Sequence, residues 1–251
     1  METHAHHLHK APGTKFRHYF FEFLMLFIAV FCGFLAENFR ERQVEKERGE
    51  QYIMSFYEDL KADTARLTNL LNIATKKIEV FQNLNSCYES LSKNIKASSC
   101  MEELLKYSRF NNGFQSTDRT LRQLSNAGGF RLLSNEDADS IIRYESANNR
   151  YQNFQSTVFQ GAQDNVRYTL NMLADFTVNS QLMTIELNPD STFSGSNRSI
   201  IFIDDKVLLN KYFNELLLYK RVTITQKRTL TEIKVKAENL IEFFKKKHHF
   251  E

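Results

Sequence analysis

Fourteen consecutive residues, Phe23 to Ala36, carry no polar side chain. Adding Tyr19, Phe20 and Phe21 brings the segment to bilayer-spanning length and encloses one acid, Glu22. A spanning helix needs about 20 mostly apolar residues to cross a hydrocarbon core ~30 Å thick. Tyr19 to Ala36 is slightly short, and aromatic residues at the interface relax that requirement. Glu22 falls one turn inside the segment, where it can be protonated, snorkel or meet a neighbouring group. A secretory signal peptide is the competing reading, because Lys10, Lys15 and Arg17 give a basic start. The small-residue cleavage site is missing, since Ala36 runs directly into Glu37-Asn38-Phe39-Arg40. The expectation is a retained membrane helix over 19–36.

Orientation follows from basic residues near the ends. The N-terminal flank has no acid after Glu2, whereas the C-terminal flank interleaves Arg40, Arg42, Lys46 and Arg48 with Glu37, Glu41, Glu45 and Glu47. This predicts a cytoplasmic, disordered tail over 1–18 and an extracytoplasmic domain over 37–251. His4, His6, His7 and His9 cluster in the tail, and with no cysteine or fixed geometry nearby they read as a flexible segment rather than a metal site.

The long second part can hold one domain with a real core. Two prolines and eight glycines in 251 residues leave few helix breakers. A formal net charge of +3, with basic and acidic residues interspersed, gives no case for nucleic acid. Of three cysteines, Cys32 lies in the apolar run. Cys87 and Cys100, thirteen residues apart, admit a disulfide in an oxidising compartment or remain two free thiols.

Helix one is expected to continue out of the membrane. Glu37 to Gln51 is mostly charged and reads as a solvated stalk. Ile53, Phe56, Leu60, Leu67, Leu71, Ala74, Ile78 and Phe81 then repeat at helical spacing. Ser99 and Glu102 form a capping-box pattern opening a second helix, which breaks near Asn111-Asn112-Gly113 and resumes at Thr117. Gly128-Gly129 ends it. Ser134 precedes two acids and opens a third long helix to about Thr177, with Ile141, Ile142, Tyr144, Tyr151, Phe154, Val158, Phe159, Val166, Leu170 and Leu173 on its apolar face. Residues 178–203 have strand composition at Met183–Leu187 and Ile200–Ile203, predicting a hairpin or ordered loop. Asp204 or Asp205 caps a last helix to about Lys247.

Short links make successive amphipathic helices antiparallel neighbours. The fold class is therefore all-α: a transmembrane helix continuing into an elongated antiparallel bundle, with the 178–203 insert at the distal tip. Lys245, Lys246 and Lys247 should return towards the membrane. There they either meet anionic headgroups or simply suit a helix C-terminus.

Glu22-Phe23-Leu24, Ala36 to Glu41, Tyr52 with Tyr57 to Asp63, Arg122, Leu124 to Asn135 and Tyr144 carry a family likeness. Over most of its length the chain resembles a group of Bacteroidota single-pass membrane proteins of unknown function, the DUF6090-like group. The resemblance implies an inner-membrane anchor with a periplasmic helical domain, and no activity.

Catalytic patterns fail one by one. The sequence holds no Gly-rich phosphate loop, HExxH, CxxC or GxSxG. No histidine occurs between His18 and His248, which removes His-based catalysis and typical zinc ligation from the domain. Glu58, Asp59 and Asp63, and Glu136, Asp137 and Asp139, read as solvated or capping acids. No cofactor and no metal are expected. Ala29 with Gly33, and Cys32 with Ala36, place small residues on adjacent parts of the membrane helix, where another helix could approach and shelter Glu22.

The leading expectation is a non-enzymatic, membrane-anchored interaction protein whose partners are lipid and either further copies or other envelope membrane proteins. The alternatives are a ligand-sensing bundle that signals through a partner, and an accessory subunit of an ion-conducting assembly with Glu22 near a pore.

Overall fold

A computed structural model describes residues 12–94, 99–109, 113–126, 128–187 and 200–250. The first helix, α1 (Pro12–Val80), is unbroken. Its apolar part is not buried. From Gly49 onwards one face buries Ile53, Phe56, Leu60, Leu67 and Ala74, the helical stripe expected from the spacing. A single 3-10 turn, Phe81–Asn83, leads into α2 (Leu84–Lys93). Then come α3 (Ser99–Arg109) and α4 (Arg119–Asn126). Gly128 takes a left-handed φ of 62° that few residues other than glycine adopt, and a 3-10 turn over Gly129–Leu132 follows.

Helix α5 (Asn135–Phe154) opens on Ser134, whose hydroxyl accepts from the Asp137 amide. A π-turn, Gln155–Phe159, joins α5 to α6 (Gln160–Leu173). Helix α7 (Phe176–Leu187) starts after Asp175, whose carboxylate accepts from the Thr177 amide. The 43-residue α8 (Lys206–His248) opens on Asp205, which accepts from the Val207 and Leu208 amides.

Helix α8 runs back along α1 over its whole packed length and forms the bundle's axis with it. At the distal end, furthest from the apolar run, Phe81 packs on Tyr219 with ring centroids 5.8 Å apart. At the proximal end Phe56 meets Phe244 at 6.4 Å, and Tyr57 meets Phe250 at 5.2 Å. The α5–π–α6 column flanks this pair, and α3 and α4 close the remaining side.

The core falls into two parts. The distal one gathers Phe81, Leu91, Leu105, Phe159, Val166, Leu170, Val178 and Leu216. The proximal one gathers Phe56, Leu67, Leu124, Tyr144, Leu230, Ile233 and Phe244.

Two local expectations need correction. Met183 to Leu187 is helical and belongs to α7, so its β-branched composition is overridden by continuation from a capped start. Ile201 makes one antiparallel bridge with Ala174, and no strand occurs among the described residues. The middle of the expected insert, 188–199, lies outside them. The flanking segments sit at the distal end, where Ile200 and Ile201 are buried in the distal core.

The long third helix is also two helices. The π-turn adds one residue per turn, and of Val158 and Phe159, both expected on the apolar face, Phe159 is buried and Val158 is exposed. The column ends at Leu173, earlier than Thr177.

Candidate functional site

The apolar run is a bare surface. Apart from Leu24, every large apolar side chain from Phe16 to Leu35 is at least 48% exposed. The segment holds an 18-residue window of mean hydropathy 2.2, none of it buried, so one helix is long and apolar enough to cross a membrane. Monomeric soluble proteins rarely expose apolar surface of this extent.

At 100° per residue its two faces differ. Phe23, Phe27 and Phe31 stack in a ladder, with centroids 6.4 and 6.1 Å apart. Ala29, Cys32, Gly33 and Ala36 lie on the opposite face, and Glu22 shares it. Nothing approaches Gly33 within 4 Å of a built Cβ, so this face is open. Glu22 is not alone: its Oε1 lies 3.2 Å from His18 Nε2, one turn earlier on the same face. Cys32 is a free, exposed thiol.

Beyond Ala36 the stalk is exposed and charged. Glu37 and Arg40 form a two-point ion pair, and Gln43 Nε2 donates to Glu47 at 3.1 Å. The bundle begins where Arg131 reaches Glu45 at 3.4 Å and the Leu132 carbonyl sits over Gly49.

Lys245, Lys246 and Lys247 do not come down to that level. Phe244 packs against Phe56, and at ~1.5 Å per residue Phe56 stands about 30 Å beyond Ala36. Lys247 is also held inside the protein. Its ammonium contacts Glu136 and Asp137, each at 2.9 Å, and donates to Ser134 Oγ at 2.8 Å. Burial pushes the Asp137 carboxyl upward, and its hydrogen-bonding contacts with Ser134, Lys247 and His248 together outweigh that and hold it below its usual range. Lys247 thus forms a clamp joining the end of α8 to the start of α5.

The acidic clusters are structural too. Asp63 is buried and accepts from the Thr117 amide at 2.9 Å, the Thr117 hydroxyl at 2.8 Å and the Tyr144 hydroxyl at 3.2 Å. Asp59 accepts from Thr120 Oγ1 at 2.5 Å and pairs with Arg119 at 3.4 Å. The two carboxylates clasp the segment that opens α4, where negative charge suits exposed amides. Burial nevertheless pushes the Asp63 carboxyl upward, its four hydrogen-bonding and ionic contacts only partly offsetting it. Among the described residues no group of three or more His, Cys, Asp or Glu side chains could hold a metal ion.

Cys87 and Cys100 are joined as a disulfide with Cα atoms 5.6 Å apart. The bond ties α2 to α3 at the distal core, of which Cys87 is a buried member.

Between the two cores lies a polar layer that the sequence pattern did not signal. Lys77 is fully buried, and its Nζ donates to the Tyr219 hydroxyl at 2.8 Å. The ammonium stands 4.9 Å from the Tyr219 ring and 5.6 Å from the Phe159 ring. Burial, helped by the nearby Arg167 charge, pulls Lys77 down to about 7. Gln226 donates to Gln155 Oε1 at 3.1 Å and to the Tyr151 hydroxyl at 3.3 Å. Arg167 and Gln163 donate to the Arg109 carbonyl at 2.8 and 3.2 Å, closing the end of α3. The π-turn supplies both Gln155 and Phe159 to this layer. With 0% of its surface exposed, Lys77 acts as a buried polar contact rather than an exposed nucleophile.

No protein-family model, curated protein or solved structure matches the chain.

Proposed function

We propose that this is a non-enzymatic interaction protein, anchored in a membrane by α1 and working as a homo-oligomer or as a subunit of a cell-envelope complex. The observation that carries this reading is the uncovered apolar length of α1. A bundle that buries its own core leaves some twenty residues for lipid and for other helices to cover. Their two faces differ in a way that suits both: bulky phenylalanines for lipid, small residues for close helix packing. Glu22 with His18 on the small-residue face would be sheltered at such a contact, where a polar pair costs less than in lipid.

In this proposal the short N-terminal tail is cytoplasmic, the anchor sits in the inner membrane and the bundle is periplasmic. The excess of basic residues without acids before the apolar run supports that orientation. The Cys87–Cys100 bond favours an oxidising compartment for the bundle. The resemblance to Bacteroidota single-pass proteins points the same way.

Purification in a mild detergent followed by light-scattering mass analysis tests the proposal. A defined oligomer or a stoichiometric complex is expected, and Ala29→Leu with Gly33→Leu should dissociate it while leaving the bundle folded. A wild-type protein that is monomeric and alone under these conditions overturns the reading.

A further inference from the structure

A groove of about 290 Å³ runs between α5 and α8, lined by Ser140, Arg143, Tyr144, Lys236, Asn239, Leu240 and Phe243. We propose that it binds a small soluble organic anion with a flat apolar body. This inference does not depend on the oligomeric reading given above.

The lining divides by chemistry. Tyr144 and Leu240 are buried and, with the half-buried Phe243, make an apolar floor. Arg143 and Lys236 are exposed and supply two positive charges from facing helices, and no carboxylate lines the groove. Among the described residues, the one polar contact of Arg143 is the bond from its Nη2 to Ser140 Oγ at 3.1 Å, and Lys236 makes none. Some cations of the bundle are paired, as Lys61 is with Glu58, Lys234 with Glu238 and Lys247 with two acids, and others, Lys76, Arg150 and Lys220 among them, are not. What marks Arg143 and Lys236 is that both line one groove. Two cations left without counter-ions over one aromatic and aliphatic floor form a complement to a charged head on an apolar body. The Ser140 hydroxyl and Asn239 amide add donors at the rim.

Size limits the ligand further. The volume of about 290 Å³ falls just below the ~300–1,000 Å³ range of ligand pockets, which suits an aryl or short branched carboxylate, sulfonate or phosphate. The site's height selects a soluble molecule over a headgroup of the anchoring bilayer. Phe243 and Tyr144 sit at the level of Phe56, about 30 Å beyond Ala36 at ~1.5 Å rise per residue. The groove is open to solvent, so affinity is expected in the high-micromolar to millimolar range.

The test uses the full-length protein in nanodiscs of neutral lipid, with naphthalene-2-carboxylate as probe and ligand-detected NMR as readout, against empty nanodiscs. Saturable binding at one site is expected. Arg143→Gln with Lys236→Gln should weaken it at least tenfold, and Lys234→Gln should leave it unchanged. Naphthalene-2-carboxamide, which lacks the charge, should bind at least tenfold more weakly. The substituted side chains are exposed, and an unchanged melting curve checks that the double variant folds. Absence of saturable binding, or binding indifferent to the double substitution, overturns the site. A second series in nanodiscs containing phosphatidylglycerol separates the two sources of anion. Unchanged probe affinity supports a soluble ligand, and competition by the lipid overturns it in favour of a headgroup.

Discussion

Lys77 shows how one residue can run against its surroundings and still be held. A lysine at that depth cannot solvate its charge, and the result is an amine poised near neutrality instead of at its ordinary value. Its folded-state pKa lies below the unfolded one. Between about pH 7 and the ordinary lysine value, the unfolded chain therefore binds more protons than the folded one. Stability rises with pH across that window, by at most ~1.4 kcal/mol per pH unit from this group alone. Lys77→Met should abolish that slope. Urea unfolding of both proteins at pH 7, 8 and 9 checks it: the stability of wild type relative to the variant should increase with pH. Equal slopes would mean that the amine reaches water. The sequence hid this residue, because a lysine among apolar neighbours at helical spacing reads as a surface position. Ile78, its neighbour in the expected stripe, is only half-buried. Asp63 was equally opaque. It stood out as an acid, but its partners Thr117 and Tyr144 are 54 and 81 residues away, and no local pattern links them.

At the level of elements, local chemistry was readable wherever a single residue decided the outcome. Ser134 and Asp205 cap their helices, and Gly128 takes the left-handed turn expected at a helix end. The stripe from Ile53 to Phe81 marked the buried face of α1. What periodicity did not reveal was the π-turn: Val158 and Phe159 were both read onto the apolar face, and only Phe159 is buried, while Val166, Leu170 and Leu173 are buried as expected. Composition also misled at Met183–Leu187, where Thr and Ile suit strands but follow a capped helix start. Two glycines make the role of context measurable. A Cβ on Gly49 would lie 2.5 Å from the Leu132 carbonyl oxygen, whereas one on Gly161 would meet nothing within 4 Å. Alanine improves helix propensity by up to about 1 kcal/mol at either site. At Gly49 overpacking against backbone costs ~1–3 kcal/mol and wins. Gly49→Ala should destabilise the bundle and speed hydrogen exchange over 129–133. Gly161→Ala should leave exchange unchanged and raise the urea midpoint.

Taken whole, the molecule separates a self-contained bundle from a segment that contributes nothing to its core. The apolar run has no buried part, and the two cores draw only on residues from Tyr52 onwards. Removing residues 1–36 should therefore release the protein from membranes into the soluble fraction with its thermal midpoint within about 2 °C of the full-length value, a surface-sized change. Fractionation and circular dichroism check both halves of that expectation. A collapse of the midpoint would show that the apolar helix supports the fold. The all-α architecture and the separation of a long apolar helical segment from the packed helices were legible because they follow from hydropathy and breaker content. The clamp at Lys247 was not, because the spacing of three lysines at a helix end says nothing about the acids waiting on another helix.

The unbroken passage from Phe16 through the stalk to Val80 has a mechanical meaning. No hinge intervenes, so α1 works as a stiff shaft with a defined phase. The small-residue face below and the α5–α8 groove above keep a set azimuth to one another. One residue added to the stalk would turn the bundle by about 100° and lift it ~1.5 Å, while seven would bring it back to within ~20°. Torque, and not only attachment, passes along such a shaft. Any twist imposed on the apolar end is delivered to the bundle as a change of heading.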